Sequence, residues 1–252
     1  KCLKVNFLDV GQGDSILIET PDNFEMLIDG GRDPSVLREL SREMNIFDRE
    51  IDVVVATHPD SDHIGGLDDV IERYKVKNIL LTENEHDTPT ATTFTSVVAD
   101  ENAKLMYADA GQQFLLGKDV VVTVFSLVGD ERMWESNTAS VVLKVTYGET
   151  SFMLTGDAPS EIENHLVGTY GEQLKSDVLK LGHHGSRTST SEEFLDAVSP
   201  SYAVVSAGVG NSYGHPHQEV MQRVFARNIK SSHTGTDGTV TFVSDGETVW
   251  QK

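Results

Sequence analysis

Residues 57–67 read THPDSDHIGGL and place four potential metal ligands, His58, Asp60, Asp62 and His63, within six positions. The segment follows the aliphatic run IDVVVA at 51–56, which is typical of a buried strand. A charged surface turn that happens to contain histidines would look similar over so short a window. Residues elsewhere in the chain are therefore needed to decide between a surface turn and an active site.

Polar residues follow three further apolar segments in the same way. Asp29 follows MLI, Asp157 follows FMLTG, and the pair His183-His184 follows VLKLG. Loops supply chemistry while a sheet fixes their positions, so these side chains are expected to gather at one rim. A single buried histidine is more often a hydrogen-bonded core residue than a ligand. Several histidines and aspartates that each follow a strand favour a metal site.

The spacing within 57–67 is compatible with two metal ions. In a tight loop, His58 and Asp60 can point to one side while Asp62 and His63 point to the other. Two ions a few ångströms apart, bridged by a later carboxylate, could activate water and hold a phosphoryl or acyl group. The glycines at 65 and 66 would let the backbone approach such a site closely.

Composition restricts the ligands and the class of protein. The chain has 252 residues, 38% of them hydrophobic, which is sufficient for a packed core. Its one cysteine, Cys2, cannot form an internal disulfide, so ligands would be imidazole and carboxylate groups, which suit zinc, manganese or iron. No apolar run or N-terminus in this sequence predicts a transmembrane helix, a signal peptide or other membrane contact. Because the chain starts at Lys1, we expect a removed leader or tag, or a soluble domain of a longer protein.

The net charge of −20, from 40 acidic and 20 basic residues, bears on the substrate. Such a surface repels polyanions, which argues against a broad basic groove for nucleic acid. A phosphate-containing substrate is still compatible, since bound divalent ions can invert the local potential. The acidity also serves solubility.

The order of elements predicts an α/β fold. Strand-like and helix-like segments alternate in two strand-rich halves, with hairpins around Gly148 and Asp245-Gly246 and a strand over 120–127. We expect two mixed sheets packed face to face with helices outside, a four-layer αββα sandwich. No low-complexity segment or long linker is present, so residues 1–252 are predicted to form one domain.

Six segments together resemble the metallo-β-lactamase superfamily, whose central motif is H-x-H-x-D-H. They are FLDVGQGDSILIET (7–20), LIDGG (27–31), THPDSDHIGGL (57–67), MLTGD (153–157), LKLGHHGS (179–186) and YGHPH (213–217). The similarity runs from Val5 to about His217, and the sequence around the motif resembles the ComEC-type subfamily. That subfamily comprises the extracytoplasmic, nuclease-like domain of a DNA-uptake channel protein and its stand-alone relatives.

The resemblance implies a metallo-β-lactamase fold, two divalent ions (Mn²⁺ or Zn²⁺) and a set of ligands. His58 and Asp60 match the first metal position, with Asp60 where most relatives have histidine, and Asp62 and His63 match the second. Asp157 matches the bridging carboxylate. Asp29 matches a carboxylate that orients the histidines.

The last ligand of the second metal falls at His184 or His183. The H-G-S context favours His184, and His183 would then face the substrate phosphate. Asn137 stands where relatives have a first-metal histidine about twenty residues before the bridging aspartate. Oxygen ligands at Asp60 and Asn137 would move the preference from zinc toward manganese.

Further side chains are predicted to surround the metals. Asp62, His183 and His215 are the predicted catalytic residues, with His215 contacting substrate or leaving group. Asp14 either supports the ligands or belongs to a plain GQGD turn, and Ser186 lies in the loop after the histidine pair. Arg187 is predicted to contact a phosphate, aided by Lys175 and Lys180. Two other residues are predicted to cap helices: Ser191, completed by Glu192 or Glu193, and His217.

The function implied is hydrolysis of DNA phosphodiesters, single-stranded or duplex, by a hydroxide activated between two metals. In DNA uptake this would degrade the strand that is not transported, on the outer face of the cytoplasmic membrane or in secreted form, with the membrane channel of a longer protein as partner. An alternative is hydrolysis of a small or polymer-linked ester, such as a phosphorylcholine ester or a lactone, in a narrow pocket closed by segments 84–96 and 128–137. A second alternative is a binding module with a degenerate site.

Overall fold

The computed structural model describes residues 1–84, 86–125, 132 and 134–252, and over these residues fifteen strands form two mixed sheets. The strands are β1 (Leu3–Phe7), β2 (Ile16–Glu19), β3 (Glu25–Ile28), β4 (Glu50–Ala56), β5 (Lys75–Leu81), β6 (Lys104–Tyr107), β7 (Gln113–Leu116), β8 (Val120–Val124), β9 (Leu143–Tyr147), β10 (Thr150–Leu154), β11 (Val178–Lys180), β12 (Tyr202–Val205), β13 (Lys230–His233), β14 (Val240–Ser244) and β15 (Val249–Gln251). The first sheet has the order β15-β14-β1-β2-β3-β4-β5-β6, and the second has β13-β12-β11-β10-β9-β8-β7.

Helices cover the outer face of each sheet. They are α1 (Ser35–Glu43), α2 (Ser61–Ile64), α3 (Leu67–Arg73), α4 (Pro89–Asp100), α5 (Ser160–Tyr170), α6 (Glu192–Val198), α7 (Gln218–Ala226) and α8 (Thr234–Asp237). One apolar core lies between the two sheets, a second joins the first sheet to α1, α3 and α4, and a third joins the second sheet to α5, α6 and α7. The predicted αββα sandwich is confirmed.

Parallel pairing creates the rim on which the functional loops lie. Strands β3 to β6 run parallel in the first sheet, and β10 to β13 run parallel in the second. The carboxyl ends of neighbouring parallel strands lie at one edge, which is where α/β sheets place ligand sites. The loops after β3, β4, β10, β11 and β12 therefore start from common edges.

The sheets do not divide the chain into a first and a second half, as the order of segments suggested. The C-terminal hairpin β14–β15 joins the first sheet, because β14 pairs antiparallel with β1, with Val5 opposite Phe242. Strands β7 and β8 belong to the second sheet through pairing of β8 with β9. The apolar faces of these strands fit the core between the sheets. The position of a strand in the chain does not reveal which of the two sheets it joins.

Local predictions largely agree with the structure. The hairpins β9–β10 and β14–β15 form, and β8 ends at Val124, with residues 126 and 127 of the predicted strand outside the described residues. Ser191 caps α6 by accepting a hydrogen bond from the Phe194 amide at 3.3 Å. The carboxylate beside this cap is that of Glu163 instead of the predicted Glu192 or Glu193, and it accepts from the amides of Thr190 and Ser191. None of the helices within the described ranges is long and apolar enough to cross a membrane.

Candidate metal centre

Loops from both sheets converge on one cluster of histidine and carboxylate side chains. The loop after β4 and the following α2 carry His58 to His63, while β10 and β11 are followed by the other ligands. His58, His63 and His184 are buried, each with an exposed fraction of 1% or less. Burial of three imidazoles beside carboxylates requires compensating interactions.

The ring of His63 is oriented by Asp29. Its Nδ1 donates to Asp29 Oδ2 at 2.7 Å, and the same carboxylate accepts from the amide and the hydroxyl of Thr57 at 2.9 and 2.7 Å. This leaves His63 Nε2 directed at the cluster, where it makes no hydrogen bond to a described residue. A carboxylate that binds the far nitrogen of a histidine is typical of metal ligation.

The rings of His184 and His58 have the same tautomer. His184 Nδ1 lies 2.8 Å from the Ser206 carbonyl, which can only accept, so Nδ1 carries the proton. His58 Nδ1 lies 3.0 Å from Thr57 Oγ1, whose own proton is donated to Asp29, so Nδ1 again donates. In both rings Nε2 is buried and without a hydrogen-bond partner in the described part of the chain. In their neutral forms the three rings thus present three Nε2 lone pairs at one place.

The carboxylates complete two groups of ligand atoms. Asp157 Oδ2 lies 3.3 Å from Nε2 of both His63 and His184, and Asp62 Oδ2 lies 3.5 Å from His184 Nε2. In the other group, His58 Nε2 lies 3.7 Å from Asp60 Oδ2, and its ring centroid is 4.0 Å from that of His63.

The spacing of these atoms fits a divalent ion. Metal–ligand bonds of about 2.1 Å place neighbouring ligand atoms roughly 3.0–3.4 Å apart. Atom pairs at 3.3 and 3.5 Å match this value, and the unpartnered nitrogens supply the lone pairs. The residues present therefore fit a metal centre.

The protonation of the histidines in the cluster depends on whether a metal ion is bound. Burial opposes charge on His63 and His184, yet Asp157 and the neighbouring carboxylates raise the pKa of both imidazoles well above the usual range. For His58, burial and the nearby His63 lower the pKa to about 4. Without metal, His63 and His184 hold protons that an ion would displace.

Backbone conformation aims several of these side chains. Asp29, His183 and His184 have φ values of 59°, 47° and 57°, in the left-handed region. Residues other than glycine occupy this region at a cost of roughly 1–2 kcal/mol each, and such residues cluster at functional sites. Here the conformation turns two adjacent histidines toward different parts of the rim.

Lys180 lies at the rim, as expected, but it is buried among carboxylates instead of serving as a surface cation for phosphate. It is fully buried at the end of β11, and its Nζ contacts Asp14 Oδ2, the Gly156 carbonyl at 2.8 Å and Asp157 Oδ1 at 3.5 Å. Burial alone would lower the pKa of Lys180, but Asp14 and Asp157 raise it, so the ammonium stays charged. Because Lys180 holds Oδ1 of Asp157, only Oδ2 faces the histidines.

Asp14 lies behind the ligands. With His63, Asp157 and His184 it forms a set whose potential ligand atoms lie within 4.8 Å of one another. Its oxygens approach the Nδ1 side of both rings, at 3.9 Å for His63 and 3.3 Å for His184, instead of the Nε2 side. Asp14 is therefore placed to support the histidines and to neutralise Lys180.

His183 and His215 lie at the mouth of the site. His183 Nε2 is 3.8 Å from Asp157 Oδ2, and its Nδ1 is 3.2 Å from Thr188 Oγ1. The ring of His215 contacts that of His183 at a centroid distance of 5.4 Å and stacks on Tyr213 at 5.7 Å. Burial and the neighbouring histidines lower the pKa of His215 to about 4, so its imidazole is neutral.

Some predicted substrate contacts interact with other protein groups. Arg187 is exposed and its Nε lies 3.5 Å from Glu219 Oε1, so its charge is already partly neutralised. Ser186 is buried and its hydroxyl accepts from the Thr188 amide at 3.4 Å and from the Thr188 hydroxyl. The expectation that Lys175 lies near the rim is wrong, because Lys175 precedes β11 and so lies at the opposite end of that strand.

The other histidines have local roles. His217 is the N-cap residue that precedes α7, but its side chain makes no cap hydrogen bond, because its Nδ1 accepts from the amide of Arg187 at 3.0 Å. His233 caps α8 by accepting from the Gly235 amide.

Two residues near the candidate metal centre were not predicted from the sequence. The exposed Arg32 follows Asp29-Gly30-Gly31, and its Nη2 lies 3.5 Å from the Tyr213 hydroxyl, at the mouth of the site. The Ser140 hydroxyl accepts from the Asp157 amide at 3.2 Å and lies 3.4 Å from His58 Nδ1. The signal for Arg32 was available, since it follows the LIDGG segment. Ser140 lies just after the turn that carries Asn137. The Oδ1 atom of Asn137 is buried and makes no hydrogen bond to a described residue.

Comparison with known proteins identifies the family of this chain. A sequence model of the family described as the metallo-beta-lactamase superfamily matches residues 8–209. The chain is 31% identical to ComE operon protein 3 of Bacillus subtilis (strain 168), over 95% of this chain and 33% of that protein. It is 35% identical to competence protein ComA of Neisseria gonorrhoeae, over 94% of this chain and 32% of that protein. The chain thus spans about a third of the length of these relatives.

Solved structures share the fold at low sequence identity. A metallo hydrolase of the archaeon Ignicoccus hospitalis, Igni18, superposes with a TM-score of 0.62 at 15% identity, covering 96% of this chain and 99% of its own. The metallo-beta-lactamase fold protein YhfI of Bacillus subtilis gives a TM-score of 0.57 at 12% identity, covering 91% of this chain and 95% of its own.

Proposed function

Because this chain belongs to the metallo-β-lactamase superfamily and has a candidate metal centre, we propose that it hydrolyses phosphodiester bonds of DNA with the aid of two divalent metal ions. The single observation that carries the hydrolytic part is the set of three buried histidines whose Nε2 atoms have no hydrogen-bond partner in the described residues and face carboxylates. A protein keeps such atoms buried and unpaired at a cost, which metal binding would offset.

Two sets of residues would hold the ions. The first is His58, Asp60 and Asp157, and the second is Asp62, His63, Asp157 and His184. Divalent ions held in this way activate water and stabilise charge on phosphoryl oxygens. The protein contributes orientation, since Asp29, Lys180 and the Ser206 carbonyl each fix one ligand.

The mouth of the site supplies contacts to the phosphoryl group. His215 is neutral, so its N–H can donate to a phosphoryl oxygen without adding charge. His183 lies between His215 and Asp157 and can donate to the same group or to the leaving oxygen. Arg32, exposed beside Tyr213, is the cation placed to contact a neighbouring phosphate.

Support for DNA comes from the relatives. Competence protein ComA and ComE operon protein 3 cover nearly the whole of this chain at 30% identity or more. From their association with competence we propose that this chain acts in DNA uptake, at the outer face of the membrane. The net charge of −20 requires that affinity come from the metals and a few local contacts.

A hydrolase of small or polymer-linked esters is the second candidate. The acidic surface repels a polyanion, whereas a zwitterionic or neutral ester would approach it freely. Part of the pocket expected for such an ester, residues 85, 128–131 and 133, lies outside the described residues.

A panel of substrates tests both candidates. Purified protein is supplied with Mn²⁺ or Zn²⁺ and offered single-stranded DNA, duplex DNA, bis-(p-nitrophenyl) phosphate and p-nitrophenylphosphorylcholine, with elemental analysis of the same samples. We expect cleavage of DNA and of the diester, and its loss in Asp157→Ala, which removes the shared ligand. Cleavage of the choline ester with no action on DNA would replace the first candidate by the second. Undiminished turnover by Asp157→Ala would exclude the two-metal site.

A further inference from the structure

A cavity of about 520 Å³ adjoins the candidate metal centre and shares a wall with it. It lies between α4 and the parallel part of the first sheet, and the wall it shares is formed by His58 and Pro59 of the metal-binding loop. Its size is within the range of pockets that bind small molecules.

The lining excludes a charged phosphate as the occupant of this cavity. Most of the side chains around it are apolar or aromatic, among them Ile64, Phe94, Leu105 and Tyr107. None of the described residues that line it is lysine or arginine, and Asp87 adds a negative charge. The lining therefore favours an uncharged group with a large apolar surface.

Two of the lining side chains remain accessible. Tyr107 is 48% exposed and Leu105 is 43% exposed, although both lie on β6 of the first sheet. Phe94 is buried beneath them in the core under α4. A flat ring that entered the cavity could stack on Tyr107 and cover Leu105.

Because the candidate metal centre suits an anion and the adjoining cavity suits an uncharged ring, we propose that the cavity binds a nucleobase of the DNA strand whose phosphate lies at the metal centre. This rests on the proposed function. In a nucleotide an anionic phosphate and an uncharged aromatic base are joined by one sugar, which matches an anion-binding centre beside an apolar cavity. Base stacking on aromatic side chains gives binding that does not need a basic groove, as a protein of charge −20 requires.

The proposal also selects the form of DNA. A base inside a duplex is stacked and paired, and its removal costs a few kcal/mol, whereas a single strand presents its bases freely. The cavity therefore favours single-stranded DNA over duplex.

The test compares two substrates that differ only in their bases. Single-stranded oligothymidylate is compared with a strand of the same length that carries tetrahydrofuran abasic sites throughout its central part. Three variants are assayed with the unmodified protein: Tyr107→Ala removes the stacking ring, Thr95→Trp fills the cavity from the exposed side of α4, and Leu115→Ala removes an exposed apolar side chain of β7 outside the cavity.

We expect Tyr107→Ala and Thr95→Trp each to raise KM for oligothymidylate about tenfold, with kcat little changed, since one stacked base contributes on the order of a tenfold or greater change in affinity. The abasic strand should bind all four proteins alike, and Leu115→Ala should behave as the unmodified protein. Equal effects of Tyr107→Ala on both strands, or no effect on either, would overturn the assignment of the cavity to a base. Cleavage by the unmodified protein would in that case still support the nuclease function.

A second measurement does not depend on cleavage. An oligonucleotide with 2-aminopurine changes its fluorescence when the base stacks on an aromatic ring, and its binding is followed with each protein. Base-dependent binding that Tyr107→Ala and Thr95→Trp abolish supports the cavity even if no DNA is cleaved, a result that would remove only the nuclease function. Binding that both variants retain in full excludes the cavity as the base site.

Discussion

At the scale of single residues, the candidate metal centre depends on groups that lie outside the set of proposed ligands. Asp29 and the Ser206 carbonyl each bind the Nδ1 atom of a histidine, so that Nε2 faces the cluster. Lys180 is the cation among buried carboxylates, in contact with Asp14 and Asp157. Their common effect is to direct one nitrogen of each of these histidines and one oxygen of Asp157 toward the candidate metal centre.

Lys180→Met should destabilise the metal-free protein by about 3 kcal/mol or more, because it leaves Asp14 buried without its counterion. Lys175→Met, an exposed lysine just before the same strand, should change stability by less than about 0.5 kcal/mol. The free energy of unfolding is measured by urea titration in chelator. The double variant Asp14→Asn/Lys180→Met should recover part of the loss. If Lys180→Met were as stable as Lys175→Met, the ion pair would have no structural importance.

Asn137→His should shift metal preference from manganese toward zinc, since imidazole replaces an oxygen donor beside the first site. The Asn137 amide oxygen is buried and without a described hydrogen-bond partner, as expected of a potential ligand. Rates with each metal and bound metal by elemental analysis are compared, with the exposed Asn102→His as control. A higher rate with zinc in the unmodified protein would show that Asn137 does not set the preference.

At the scale of elements, the turn between α2 and α3 brings the ligand-bearing loop against the loop after β3. The amide of Gly30 donates to the His63 carbonyl at 2.6 Å, and the amide of Gly66 donates to the Gly31 carbonyl at 3.1 Å. A side chain at Gly66 would place its Cβ 2.3 Å from the Gly30 carbonyl oxygen, which is too close for any contact. Glycine is required here by close approach of two backbones.

Gly66→Ala should therefore destabilise the protein by about 1–3 kcal/mol and weaken metal binding, since the clash displaces the segment that carries His63. Gly168→Ala is the matched control, because it lies within α5 with open space around it. That change should stabilise by about 0.5–1 kcal/mol through lower backbone entropy in the unfolded state. Thermal unfolding and metal content are measured for both. Equal stability of the two variants would contradict close packing at Gly66.

At the scale of the whole molecule, charge determines how a substrate can approach. The net charge of −20 opposes general attraction of DNA, and Arg187 is already paired with Glu219. Arg32 is an exposed cation beside Tyr213 at the mouth of the site. Binding of DNA should therefore depend on the metals more than on the surface.

The affinity for a labelled single strand should fall only slowly with salt, because each phosphate neutralised by a basic side chain adds about −0.7 to the logarithmic slope. One or two contacts give a slope of about −1 to −2, and Arg32→Ala should reduce its magnitude by about 0.7. Chelation should cost more affinity than moderate salt. Arg73→Ala, in the last turn of α3, is the control. A steep slope that survived chelation would indicate a basic groove.

The sequence by itself determined the fold class and predicted which polar residues gather at one rim, while their roles as metal ligands follow from the family resemblance. His58 to His63 are close in the chain, and Asp29, Asp157 and His184 each follow an apolar strand, so local pattern predicts where they lie. The αββα sandwich follows for the same reason, since alternation and turn residues are local properties.

Only the tertiary structure decided the surroundings of those ligands. It buried Lys180 against Asp14, paired Arg187 with Glu219, attached the C-terminal hairpin to β1 and opened a cavity beside His58. Each of these joins residues far apart in the chain, and their contact depends on which strands are neighbours and on how the helices pack. Local pattern holds no information on either, because the free energy of such contacts arises only when the whole sandwich is assembled.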